Sequence, residues 1–144
     1  MRSKTLTTIT LAGWLLVLTG IPAAAQLGSR LTAEIPFEFA AGTKTMPAGE
    51  YTLTLGGSSV SPALVVFQAA NGKAAVQLLA SAAESAGAAE QTKLIFHRHG
   101  DRHFLVEIWT RGVNRGYQFP QSQSERELTK QAANFEVVAL VAQR

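Results

Sequence analysis

The chain has 144 residues, no cysteine, and 13 basic against 10 acidic residues. That length fits one domain, and the lack of cysteine excludes disulfides and a lipid-bearing thiol anchor. No run of Lys or Arg stands in it, which argues against a nucleic-acid partner and against a polybasic membrane patch.

Arg2 and Lys4 form a charged tip, Leu11 to Leu18 (LAGWLLVL) an apolar centre, and Ala23-Ala24-Ala25 a run of small residues before Gln26. These are the three parts of a secretory signal peptide, and cleavage is expected after Ala25. The apolar centre is short against the roughly 20 residues of a membrane span, which favours removal over anchoring. Cleavage takes two basic residues and no acidic one, so 11 basic and 10 acidic residues remain and the net charge falls to +1. The expected product is residues 26–144, one β domain in the periplasm or medium with no transmembrane segment.

From Leu31 the pattern becomes strand-like. Ala33, Ile35, Phe37 and Phe39 alternate with Thr32, Glu34, Pro36 and Glu38, the period of a half-buried strand. Pro36 has no N–H for a ladder and predicts an edge strand or a bulge. Turns are expected at Ala41 to Lys44 and Met46 to Gly49, then a strand carrying Tyr51, Leu53 and Leu55, then a break at Gly56 to Ser59. Ala63 to Ala69 and Ala74 to Ala80 read as a hairpin around Asn71-Gly72, a strong turn signal. Ser81 to Glu90, rich in Ala, Ser and Gly, is expected as a loop. Lys93 to His99 and Phe104 to Thr110 form the most apolar strand pair, followed by a turn at Gly112 to Gly116 and a short strand at Tyr117 to Phe119. Ser124 with Glu127 fits a capping box and predicts a helix from Glu125 to about Ala133. Phe135 to Ala142 is the last strand. The fold class is all-β, about eight short strands with one short helix before the last. A partly closed antiparallel barrel is favoured over a sandwich. An outer-membrane barrel is rejected, because its strands need about 9–11 residues.

Three stretches carry a family resemblance. They are Ile35-Pro36-Phe37-Glu38-Phe39 continuing to Met46-Pro47-Ala48-Gly49-Glu50-Tyr51; Leu94-Ile95-Phe96-His97-Arg98 with Gly100-Asp101 and Phe104-Leu105; and Trp109 followed by Ser124-Glu125-Arg126-Glu127-Leu128. Together they resemble a family of small secreted proteins of acidobacteria and related soil bacteria. The resemblance implies a Gram-negative exported protein and assigns no chemistry. It also implies aromatic residues at the positions of His99 and His103, which counts against those two as shared metal ligands.

The constellation that could carry chemistry is His97-Arg98-His99-Gly100-Asp101-Arg102-His103. His97 and His99 are two apart on a strand and share a face. A two-residue loop pairs His99 with Arg102 and sends His103 to the opposite face; a three-residue loop pairs His99 with His103. Placing Leu94, Phe96, Phe104, Val106 and Ile108 on one buried face requires even to pair with even, hence the three-residue loop. The other face then carries His97, His99, His103 and Glu107, three candidate zinc ligands among them. Histidines on the wet face of a hairpin account for the same pattern without metal.

No Gly-x-Ser-x-Gly elbow is present, and Ser58, Ser59 and Ser61 fit a turn. A triad of one of them with His97 and Asp101 has no support beyond composition, so a metal-dependent or hydrolytic enzyme ranks third. The expected function is a secreted, non-catalytic binding or structural module of the cell envelope without a cofactor. Trp109, Arg111, Arg115 and Tyr117 are its candidate contact residues, since Trp, Tyr and Arg dominate interface hot spots. The alternative is a carrier holding a small apolar ligand inside the barrel.

Overall fold

The computed structural model describes residues 28–56, 62–132 and 134–144. The expected leader, the break over Gly57 to Ser59, and Ser61 lie outside them. Strands dominate, and the alternation of the sequence explains which side each strand buries. In β1 (Ser29–Ile35), Leu31, Ala33 and Ile35 are buried while Arg30, Thr32 and Glu34 are exposed. β4 (Gly49–Leu55) buries Tyr51, Leu53 and Leu55, and β5 (Ala63–Ala69) buries Val65 and Phe67. Cross-strand pairs Leu31 with Leu53, and Leu53 with Phe67, stack these side chains on one surface.

The remaining strands are β2 (Phe39–Ala41), β3 (Lys44–Met46), β6 (Ala75–Glu84), β7 (Lys93–His99), β8 (Arg102–Trp109), β9 (Arg115–Gln118) and β10 (Glu136–Val141). They form one ten-stranded sheet in the order β1-β4-β5-β6-β9-β8-β2-β3, with β7 between β8 and β10. The ladders between these strands are antiparallel except β2 with β8, so the sheet is mixed. Among the described residues one helix, α1 (Gln123–Gln131), precedes the last strand.

The Asn71-Gly72 hairpin is present, with Gly72 at φ 70° and Lys73 N–H bonded to Asn71 Oδ1 at 2.9 Å. Three expectations change. The alternating strand expected to run from Leu31 to Phe39 breaks after Ile35 and resumes as β2, which pairs with β3 across the turn expected at Ala41 to Lys44. Ser81 to Glu84, expected as loop, continues β6 and pairs with β9 from Ser81–Gln118 to Glu84–Arg115. Its Ala and Ser side chains carry no apolar alternation, so the partner strand rather than local pattern holds it extended. The sheet is also not closed into a barrel by a continuous ladder. The first and last strands meet at one residue pair, where Thr32 and Gln143 exchange two backbone hydrogen bonds of 2.7 and 2.8 Å. Continuing that register sets Pro36 opposite Ala139, and proline has no N–H to donate.

Aromatic and aliphatic side chains pack together on the buried side of the sheet. Phe39 packs edge-on against Tyr51 at 5.4 Å and Phe96 at 5.6 Å, and Tyr51, Phe67, Phe96, Leu53 and Leu94 are fully buried. Each such side chain stabilises by about 1.5–3 kcal/mol through removal from water. Two phenols reach backbone carbonyls from this core: Tyr51 donates to Pro47 O at 2.6 Å and Tyr117 to Gly56 O at 2.8 Å. Burial raises both pKa values above the usual tyrosine value. Gly116 lies opposite Trp109, where an added Cβ would stand 2.8 Å from both Ile108 O and the indole ring. The bare glycine is what lets the ring lie against β9.

Candidate metal centre

The β7–β8 hairpin sets the site. His99 pairs with Arg102, so the loop is Gly100-Asp101, two residues rather than the expected three. Gly100 has φ 60°, at the first loop position where a type II′ turn takes glycine. Even-numbered apolar residues nevertheless face the core farther along, because the register shifts by one. Ile95 pairs with Glu107 but Phe96 pairs with Leu105, leaving Val106 as an extra residue. This is a β-bulge, which reverses the facing of every residue between it and the turn. The expected single face of Leu94, Phe96, Phe104, Val106 and Ile108 is thereby divided. Leu94, Phe96, Leu105 and Ile108 join the core cluster, while Phe104 pairs with His97 on the opposite face.

The three histidines are divided by the same geometry. His97, His99 and Phe104 share the outer face. His103 pairs with Arg98 and stacks on Phe37, ring centroids 3.8 Å apart and planes at 12°. Desolvation, then the neighbouring Arg98 charge, lowers the His103 pKa below the usual 6.5. Glu107, also expected beside the histidines, accepts a hydrogen bond of 2.8 Å from Trp109 Nε1.

A carboxylate from α1 takes the place that His103 leaves. The helix is capped by Ser122, whose side chain accepts from Glu125 N–H at 3.1 Å. The cap is thus two residues earlier than the expected Ser124, and Glu125 stands third in the helix. In a capping box a glutamate there reaches back to the cap N–H. Here Glu125 is 2% exposed and turns onto the sheet instead. Its Oε1 accepts from His97 Nδ1 at 2.9 Å and lies 4.0 Å from His99 Nε2. One donor atom from each of His97, His99 and Glu125 falls within 4.8 Å of the others.

His99 makes the arrangement chemically incomplete. Its side chain is 5% exposed, yet neither ring nitrogen has a hydrogen-bond partner among the described residues. An unsatisfied buried polar atom costs about 1–3 kcal/mol. Phe104 meets the His99 ring edge-on at 5.8 Å, and Phe135 covers His97 at 4.1 Å and His99 at 5.7 Å, so packing holds both rings and shields them. Two imidazoles and one carboxylate form a donor set suited to zinc and to other borderline divalent ions. Donors about 2.1 Å from a tetrahedral ion lie roughly 3.4 Å apart. The 2.9 and 4.0 Å separations bracket that value.

The four expected contact residues stand in different settings. Tyr117 is in the core cluster. Trp109 is partly buried with its N–H bound to Glu107, Arg115 approaches Glu84 at 3.5 Å, and Arg111 is exposed, with its backbone N–H donating to Thr92 Oγ1 at 3.1 Å.

Fold and site together define a mostly-β chain with a shielded two-histidine, one-glutamate donor set between a sheet and a helix. Searches against protein-family models, curated proteins and solved structures found no match.

Proposed function

We propose that this chain is an exported, non-catalytic binding module of the bacterial envelope whose ligand is a divalent metal ion held by His97, His99 and Glu125. The observation that carries the reading is His99, a buried imidazole with both nitrogens unpartnered among the described residues, standing 4.0 Å from a buried carboxylate. A cation satisfies the nitrogen nearest that carboxylate and compensates the buried negative charge, which otherwise costs several kcal/mol to hold out of water. Export rests on the leader pattern, and membership of the secreted acidobacterial family rests on the three sequence stretches. The strand circuit is read as a partly closed barrel, because the Thr32–Gln143 bridge brings its two ends together.

The test is zinc titration of the purified chain in competition with a chromophoric chelator. One zinc per chain is expected, with binding lost in a variant carrying His97→Ala, His99→Ala and Glu125→Gln. Equal binding by the folded triple variant refutes the assignment.

A further inference from the structure

A groove of about 500 Å³ runs along the outer face beside the donor set, and His97 belongs to its wall as well as to the set. Leu79, Val106, Phe119 and Pro120 line it, and the residues described around it include no Asp, Glu, Lys or Arg. Its volume falls within the range of small-molecule sites, about 300–1,000 Å³. Leu79 is 60% exposed and its cross-strand partner Leu64 45% exposed, so apolar surface continues out of the groove.

We propose that this groove takes the apolar body of a small carboxylate whose head binds the metal ion, an inference that rests on the metal site proposed above. Three protein donors leave a fourth position on a tetrahedral ion. Two neutral imidazoles and one carboxylate around a divalent cation leave one positive charge uncompensated. In a groove wall without other fixed charge, that ion is what draws an anion. The carboxylate head satisfies the ion, and the hydrocarbon part covers Leu79, Val106 and Phe119. Large side chains of the core cluster occupy the buried side of the sheet, where a barrel cavity was expected, and the carrier role is read instead on the outer face.

The test titrates sodium octanoate into the zinc-loaded chain, the metal-free chain and zinc-loaded Leu79→Asp, with 1-octanol as the uncharged control. Octanoate is expected to bind the zinc-loaded chain at least ten times more tightly than the metal-free chain, and more tightly than octanol binds. Leu79→Asp is expected to weaken octanoate about tenfold with zinc affinity unchanged. Zinc binding without octanoate binding, or octanoate binding indifferent to zinc, overturns this inference and leaves the metal site standing. An unchanged octanoate affinity in Leu79→Asp removes the groove from it. Failure to bind zinc at all overturns both.

Discussion

The two faces of the β7–β8 hairpin each carry histidine and phenylalanine and behave as different materials. Toward the core, Leu94, Phe96, Leu105 and Ile108 interlock with the aromatic interior. Toward α1, His97 and His99 meet a buried glutamate beside Phe104, and among the described residues His99 finds no partner for either nitrogen. His103 is one strand position from Phe104, yet it lands on the opposite face and stacks on Phe37. One imidazole thus stacks on Phe37 on one side of the hairpin, and another stands beside a buried carboxylate on the other. The difference lies in one residue of register, set by a glycine in the turn and one extra residue in the bulge.

The largest expected effect comes from the core face. Phe96→Ala removes a fully buried ring in edge contact with Phe37 at 5.3 Å and Phe39 at 5.6 Å. A loss of about 3–5 kcal/mol in unfolding free energy is expected by denaturant titration. The outer face should respond in ligand binding instead. Glu125→Gln or His99→Ala is expected to weaken zinc by roughly a hundredfold, about 2.7 kcal/mol, whereas His103→Ala leaves zinc affinity unchanged. A His103 variant that loses zinc would erase the distinction between the faces.

Smaller effects sharpen the comparison. Gly100→Ala places a Cβ at φ 60° and should cost about 1–2 kcal/mol of stability. His103→Phe tests the packing role through pH. Burial and Arg98 hold the His103 pKa low, against the opposing influence of a hydrogen bond to the Glu38 backbone and the charges of Asp101 and Glu136. Between its lowered folded value and 6.5, the unfolded chain binds a proton that the folded chain refuses. The His103 contribution is therefore intact above 6.5 and is lost as pH falls through that window. His103→Phe keeps an aromatic ring beside Phe37 and should flatten the fall of stability with acid in that range. An unchanged slope would show that His103 is not the group responsible.

Much of this was legible in the chain itself. Alternation in Leu31 to Ile35, Tyr51 to Leu55 and Ala63 to Ala69 marks the half-buried strands, Asn71-Gly72 marks the hairpin, and Pro36 marks a strand at the end of the sheet. The pairing of His97 with His99 on one face follows from period two alone. The rest depends on contacts that sequence distance hides. The bulge at Val106 has no proline or glycine to announce it, so counting even with even runs smoothly past the shift. Glu125 sits amid Ser122, Ser124 and Glu127, where capping chemistry explains any of the acids. Only the sheet beneath the helix, 28 residues back at His97, draws Glu125 out of that role. Ser81 to Glu84 has no pattern of its own and becomes a strand because Tyr117 and Gln118 lie alongside.

The Thr32–Gln143 bridge has a consequence for the order in which the molecule comes apart. Every other junction along the circuit from β1 to β10 is a ladder of three or more residue pairs, and this one is a single pair held by two bonds. Opening it frees the first strand from the last while both stay attached to their own neighbours, β4 and β7. Solvent deuterium should therefore reach the amides of Thr32 and Gln143 well before those of Leu53 or Phe67, and the molecule possesses a line along which it parts without unfolding.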